Sequence, residues 1–171
     1  MKYSRSFHWF LVCLFAVAVV FSSSSSVIAE EEYEDEYAAI SELWDRSGDL
    51  WDLVDEYDDW CIQVAGLIEA MIVTVGLQCP DCGQDLFDAN VRMDTYEILT
   101  RGNLTDAISA ADSNLTAAED CLALDDVTQA LYYIASAEDD LDDADFYSES
   151  SETTLCEGEG LYETAYSAHF E

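Results

Sequence analysis

The sequence has very few basic residues, helix breakers and histidines. It contains five lysines and arginines against 38 aspartates and glutamates, together with one proline, seven glycines and two histidines. A net charge of −33 repels phosphate backbones and anionic lipid heads, so nucleic acid and anionic membrane surfaces are excluded as partners. Because proline and glycine are scarce, we expect long, uninterrupted helices.

The motifs that mark common enzyme classes are also missing. There is no nucleophile elbow, no paired-histidine metalloprotease helix and no glycine-rich phosphate loop. His169 is the only histidine beyond residue 8. Paired carboxylates could serve a glycosidase, but with 38 acidic residues such pairs arise everywhere and carry no information. We therefore expect a protein that is not an enzyme.

The first 29 residues have the pattern of a secretory signal peptide. Lys2 and Arg5 precede an apolar run over residues 7–21, which is followed by five serines and by Val27-Ile28-Ala29. The run is shorter than the roughly 20 residues of a spanning helix, although an uncleaved anchor is the alternative. Cleavage after Ala29 leaves residues 30–171 as one acidic domain that is secreted, extracellular or part of the cell envelope.

The acidity of residues 30–171 has two explanations. This part of the chain has three arginines, no lysine and all 38 acids, which gives a net charge of −35. A carboxylate-rich surface stays soluble when salt screens its self-repulsion, so the composition fits adaptation to a saline environment. The alternative is a specific role in binding cations. Cations and basic proteins are in either case the partners that such a surface attracts.

Residues 34–75 contain apolar residues seven positions apart, in two columns offset by three. This spacing is typical of helices that pack in the manner of a coiled coil. The first column holds Ile40, Ser47, Val54, Cys61, Ile68 and Val75, and the second holds Leu43, Leu50, Tyr57, Val64 and Met71.

Two further segments show the same seven-residue spacing. The second begins near Gln84, is expected to kink at Gly102-Asn103, and ends before Asp125-Asp126. Its columns are Leu104, Ala111 and Ala118, and Ile108, Leu115 and Leu122. The third segment has the columns Ala130, Ala137, Ala144, Ser151, Gly158 and Ala165, and Ile134, Leu141, Ser148, Leu155, Tyr162 and His169.

Together these segments predict an all-α fold, an elongated antiparallel three-helix bundle with coiled-coil-like heptads. Residues 148–154, Gly158 and Gly160 are weak helix formers. A break there would add a short fourth helix from Leu161. A helix of 40 residues is roughly 60 Å long, and a rod of that kind offers little concavity for an enzyme pocket.

The sequence Cys-Pro-Asp-Cys-Gly at residues 79–83 marks the turn after the first segment. It resembles one knuckle of zinc-ribbon and rubredoxin-type metal sites. Those folds use a second Cys-x-x-Cys, which this chain lacks. A thioredoxin-like redox dithiol would require a preceding strand, and none is predicted.

Five cysteines remain after the signal peptide, so they cannot all pair within one chain. An exported protein usually meets oxidising conditions, which makes disulfides the default expectation. From helical heights we predict the pairs Cys79–Cys82 and Cys61–Cys156. Cys121 is left as a free thiol or as the site of an intermolecular bridge.

Two weak metal sites follow from the positions of potential ligands. Cys79, Cys82 and His169, with a carboxylate, would make a zinc site at one tip of the rod. Asp139, Asp142 and Asp143 meet on one helix face and could associate loosely with calcium, although they lack the glycine-containing loop of an EF-hand. The alternative for these aspartates is a solvated helix face.

Asn103 and Asn114 begin two glycosylation sequons, Asn-Leu-Thr in both cases. The two asparagines are 11 residues apart and therefore share a helix face. Leu104 and Leu115 belong to the inward columns, so we expect both asparagines to point outward.

The function that these observations favour is that of a non-enzymatic secreted or cell-surface helical protein. Its role would be structural, in assembly or in partner binding, with a protein partner or self-assembly and no cofactor. One alternative is an acidic, low-affinity calcium-binding protein. The other is a metal or redox protein that uses Cys79 and Cys82.

Overall fold

The computed structural model describes residues 33–75 and 79–170, and nearly all of them are helical. No strand occurs among these residues. The predicted signal peptide, residues 1–29, lies outside the described part of the chain. The elements are α1 (Glu34–Val75), α2 (Pro80–Thr95), a π-helical segment (Tyr96–Thr100), α3 (Arg101–Ala123) and α4 (Val127–Phe170).

The helix starts follow from local sequence. The first turn of α1 is acidic, at Glu34, Asp35 and Glu36, where negative charge stabilises the helix dipole. Helix α2 begins at Pro80, a residue suited to a first turn because its missing N–H needs no partner there. Before it, Cys79 has an extended backbone and its sulfur accepts the backbone N–H of Cys82.

The predicted short connection at residues 125–126 is present between α3 and α4. Asp125 has a positive φ of 59°, the left-handed conformation that commonly ends a helix. The carboxylate of Asp126 then accepts the backbone N–H of Gln129 at 3.1 Å and so caps the start of α4. The two aspartates therefore close one helix and open the next.

The buried side chains lie where the helices meet. Helix α4 packs against α1, α2 and α3, and α1 packs against α2 and α3. Buried residues recur every three or four positions along much of the chain. Some members of the predicted inward columns are only half-buried, among them Leu43, Ile134 and Tyr162. Within α1 the buried residues are Ile40, Ser47, Leu50, Val54, Tyr57, Cys61, Val64, Ile68, Met71 and Val75.

Helix α4 continues without a break through the weak helix formers at residues 148–160. The hydroxyls of Ser151 and Thr154 donate to backbone carbonyls four residues earlier, so their hydrogen bonds are made within the helix itself. Gly158 is buried against α2, where an added Cβ would lie 2.1 Å from Met93 Cε and 3.1 Å from Arg92 Cβ. The glycine is retained because it allows α2 and α4 to approach closely.

The expected irregularity in the second segment is present, but it lies earlier than Gly102-Asn103. Tyr96–Thr100 forms the π-helical segment, whereas Gly102 lies within regular α3. The glycine has open space around its Cα and no contact that requires a kink. Tyr96 of the π segment and Arg101, the first residue of α3, both hydrogen-bond to Asp58 of α1. None of the helices in the described ranges is long and apolar enough to cross a membrane.

Candidate functional site: a groove beside the π segment

The π segment directs two polar side chains from the second segment toward α1. Tyr96 is almost completely buried, and its hydroxyl donates to Asp58 Oδ1 at 2.8 Å. Arg101 Nε donates to both carboxylate oxygens of Asp58, at 2.7 and 2.9 Å. Because π-helical turns often occur at functional sites, this cluster is the candidate binding site.

The charges of this cluster are set by its hydrogen bonds. The hydrogen bonds from Arg101 lower the pKa of Asp58, against the opposing effect of burial, and the Tyr96 hydroxyl lowers it further. Burial raises the pKa of Tyr96, and the hydrogen bond to Asp58 raises it again. Asp58 is therefore an ionised acceptor and Tyr96 a neutral donor, and Asp58 neutralises the guanidinium of Arg101.

A groove of about 400 Å³ lies between α1 and the π segment. It combines two carboxylates with apolar side chains and one thiol. The lining residues are Asp58, Cys61, Ile62, Ala65, Tyr96, Glu97 and Arg101.

The thiol in this groove is not suited to nucleophilic chemistry. Cys61 is buried, and its sulfur lies 3.9 Å from the carbonyl oxygen of Met93. Burial, together with the negative charges of Glu97 and Asp58, raises the pKa of Cys61 to about 11. The thiol therefore stays protonated near neutral pH, and reactivity requires the thiolate. The groove therefore combines an apolar wall with the Asp58–Arg101 ion pair and the exposed carboxylate of Glu97.

The first predicted disulfide is present and the second is not. Cys79 and Cys82 are bonded, with an S–S distance of 2.04 Å. Cys61 is buried against α2, whereas Cys156 is exposed, and both are free thiols. A disulfide requires Cβ atoms within about 4.5 Å, so a buried and an exposed position on two helices cannot be joined. Cys156 directly follows Leu155, which belongs to an inward column. The seven-residue spacing therefore already indicated that Cys156 points away from the core.

The third predicted thiol, Cys121, is free and half-buried near the end of α3. It is accessible enough for the predicted role in an intermolecular bridge, which stays a prediction.

The predicted metal ligands do not come together. Within residues 33–75 and 79–170, no group of three or more His, Cys, Asp or Glu side chains could hold a metal ion. The sulfurs of Cys79 and Cys82 are bonded to each other, and His169 joins no such group. In the aspartate set, Asp142 accepts a hydrogen bond from Arg46 at 2.7 Å, while Asp139 and Asp143 are exposed.

The two sequon asparagines have different surroundings. Asn103 is exposed, as expected. Asn114 is half-buried, and its side-chain amide donates to Asp140 of α4 at 2.7 Å. The expected outward orientation of Asn114 is therefore wrong, because the residue lies at the contact between α3 and α4. Glycosylation of either residue stays a prediction.

Sequence reasoning did not find the cluster of Asp58, Tyr96 and Arg101. The sequence shows Tyr96 as an aromatic residue of the second segment, but it does not indicate a partner for its hydroxyl. Asp58 is one of several acids in the stretch Asp55 to Asp59, and nothing in the sequence distinguishes it from its neighbours. No sequence feature marks the extra residue of the π segment. That extra residue sets the direction of Arg101.

Comparison with known proteins finds no match to this chain among family models, curated proteins or solved structures.

Proposed function

We propose that this chain is a non-enzymatic helical protein, exported to the cell surface or beyond, that acts by binding or assembling with a protein partner. Its fold would be an elongated antiparallel three-helix bundle with coiled-coil-like heptads. Residues 30–171 would form its single domain after removal of residues 1–29. Helix α1, with 42 residues, would be about 60 Å long at 1.5 Å per residue.

The observation that carries the proposal is a set of large apolar side chains left in solvent on α1, on α2 and in the π segment. Ile62 and Val73 of α1 are 69% and 88% exposed, and Phe87 and Ile98 are 61% and 80% exposed. Isolated exposed apolar residues are ordinary, but clustered ones mark interaction sites. We call these four residues the apolar stripe.

The spacing of the apolar stripe supports one continuous surface. Ile62 and Val73 are 11 residues apart, as are Phe87 and Ile98, which is about three helical turns in each case. Ile62 and Val73 therefore occupy one face of α1, whereas Phe87 lies in α2 and Ile98 in the π segment that continues it. Ile62 also lines the groove together with Glu97, the residue before Ile98, so α1 and the π segment adjoin at the groove.

The alternative functions gain no specific support. Low-affinity calcium binding would use Asp139, Asp142 and Asp143, yet one of these already accepts a hydrogen bond from Arg46. A metal at Cys79 and Cys82 would require both sulfurs, which are joined in a disulfide. The partner-binding role is the one for which the described residues offer a surface.

Site-specific photo-crosslinking in the producing cells tests this function. A photoreactive residue is placed at Ile62 or at Ile98, and at Leu131 as a control, because Leu131 is a half-exposed apolar residue of α4. A discrete crosslinked species from positions 62 and 98, weaker or missing from 131, is expected. A species with a second copy or with another protein supports the proposal. Absence of any species specific to positions 62 and 98 would refute it.

Export is tested separately by the intact mass of the protein outside the cells. We expect a chain that begins at Glu30. A chain that keeps residues 1–29, or one found only inside the cells, would contradict the export part of the proposal.

A further inference from the structure

The surface around the groove has no unpaired basic side chain in the described part of the chain. The three arginines of the described part of the chain each contact a carboxylate of another helix. Arg101 lies 2.7 Å from Asp58, and Arg92 lies 3.2 Å from Glu157. Arg46 contacts both Asp142 and Asp145. A partner that docks here therefore meets carboxylates and apolar groups, and no cation that could pair with acids of its own.

Exposed acids accompany the apolar stripe along both helices. On α1, Asp59 precedes Ile62 by three residues and Glu69 precedes Val73 by four. Beside Ile98, Asp94 precedes it by four residues and Glu97 is adjacent. Residues three or four apart are neighbours on a helix surface, so Ile62, Val73 and Ile98 each have a carboxylate next to them. The docking surface is an apolar centre with an acidic border.

This charge pattern argues against two of the occupants that an apolar surface can have. A second copy would bring one acidic border against another, in a chain whose net charge is −33, with no free arginine to bridge them. An anionic membrane surface is repelled for the same reason. The complementary occupant is apolar on one side and basic on its edges.

The dimensions fit a helix. The 11 residues that separate the members of each pair span about 16 Å at 1.5 Å per residue. A partner helix of about 12–15 residues would cover that length, with anchors at positions such as i, i+4, i+7 and i+11. Binding of an amphipathic helix in a groove between two helices is a recurring mode of peptide recognition.

We propose that the groove and the apolar stripe bind a basic amphipathic helix of a partner protein, and this inference rests on the proposed partner-binding function. The apolar side of that helix covers Ile62, Val73, Phe87 and Ile98. Its lysines or arginines lie over the acidic border, where Glu69, Asp94 and Glu97 accept their hydrogen bonds. Asp58 is already paired with Arg101 and stays so.

The test uses a designed 18-residue helical peptide of leucine and lysine as the probe, with binding followed by fluorescence anisotropy at 150 mM NaCl. The variant Ile62→Ser with Ile98→Ser changes no charge and removes two apolar anchors. The control variant Leu131→Ser with Tyr132→Ser removes two exposed apolar residues of α4. We expect the first variant to weaken binding about tenfold or more, since two anchors are lost, and the control to change it less than about twofold.

A leucine and glutamate peptide of the same pattern serves as the charge control and is expected not to bind. Equal affinities for wild type and both variants would mean that charge alone attracts the peptide, which overturns the inference. So would binding of zwitterionic phosphatidylcholine vesicles that is lost in the Ile62→Ser, Ile98→Ser variant, because the stripe would then face a lipid surface.

The two proposals can fail separately. If crosslinks from Ile62 and Ile98 form but join a second copy or a partner without a basic helix, the partner-binding function stands and this inference falls. If neither crosslinks nor variant-sensitive peptide binding occurs, both fall. Circular dichroism and a thermal melt of each variant confirm that an exposed substitution has left the fold intact.

Discussion

At the residue scale, the polar groups at the helix contacts have partners. Within the described residues, no buried side-chain nitrogen or oxygen lacks a hydrogen bond. Trp44 and Trp51 of α1 donate to Glu119 and Asp112 of α3, at 3.1 and 3.2 Å. For the part-buried pair of Trp51 and Asp112, loss of one partner would cost more than the bond adds, because an unpaired buried group loses its hydration without compensation.

Loss of the Tyr96 hydroxyl is expected to destabilise the protein by about 1.5–3 kcal/mol, the usual range for a hydrogen bond to a charged group. Tyr96→Phe leaves Asp58 with Arg101 as its remaining partner. Urea unfolding followed by circular dichroism measures the change. The control is Tyr132→Phe, at an exposed position of α4, which should change stability by less than about 0.5 kcal/mol. Equal effects of the two substitutions would mean that the Asp58–Tyr96 contact contributes nothing.

The buried thiol of Cys61 should make the protein sensitive to alkali. Its pKa rises from 9.0 to about 11 on folding, chiefly because of burial. Because the pKa of this thiol is higher in the folded state, its contribution to the free energy of unfolding is fully present below pH 9. This contribution is lost as the pH rises toward 11. At 1.36 kcal/mol per pH unit, the loss is on the order of 2–3 kcal/mol.

We would measure this loss in a background with Cys121→Ala and Cys156→Ala, which removes the accessible thiols that could attack the disulfide. Adding Cys61→Ala should make the fall in unfolding free energy between pH 9 and pH 11 shallower. It should also lower stability at pH 7, because a buried sulfur is removed. An identical pH slope with and without Cys61 would contradict the prediction.

At the element scale, the two glycines of α4 near its C-terminal end have opposite roles. Gly158 is buried against α2, and a Cβ there would lie 2.1 Å from Met93 Cε and 3.1 Å from Arg92 Cβ. Gly160, one half-turn later, is exposed and has nothing within 4 Å of an added Cβ. Substitution by alanine therefore tests close helix packing at Gly158 and helix propensity alone at Gly160.

Gly160→Ala should stabilise the protein by about 0.5–1 kcal/mol, because alanine has the higher helix propensity. Gly158→Ala should destabilise it by about 1–2 kcal/mol, since Met93 must move and α2 must shift from α4. Chemical denaturation of the two variants side by side measures both. If Gly158→Ala stabilises as much as Gly160→Ala, the close approach of α2 and α4 is not limiting.

At the scale of the whole molecule, charge is the dominant property. The chain has 38 acidic and five basic residues, and the three arginines of the described part are all in ion pairs. Repulsion among the remaining carboxylates opposes the compact state. Salt weakens the three ion pairs, but it weakens the far more numerous repulsive interactions too.

We therefore expect the melting temperature to rise with NaCl, on the order of 5 °C between 0.05 M and 1 M. A scan at several NaCl concentrations, monitored by circular dichroism, measures the rise. Calcium and magnesium at equal concentration should have equal effects, since no described cluster selects one ion. A clear advantage of calcium would instead favour the calcium-binding alternative, and a melting temperature that falls with NaCl would contradict the prediction.

The sequence by itself determined the helical class, most of the buried positions and the turn at residues 125–126. It could do so because heptad spacing, turn residues and the lack of breakers act locally and are read directly along the chain. It also identified Cys79 and Cys82 as a pair, since residues three apart at a helix start are held close by the backbone alone.

The tertiary structure decided what depends on two helices meeting. It separated Cys61 from Cys156, placed Asn114 against Asp140, and used Gly158 for close packing of two helices where the sequence suggested a break. It also selected Asp58 from among its acidic neighbours as the partner of Tyr96 and Arg101. One residue of shift along a helix turns a side chain by about 100°, so these pairings depend on the register and rotation of whole helices, and no local pattern encodes them.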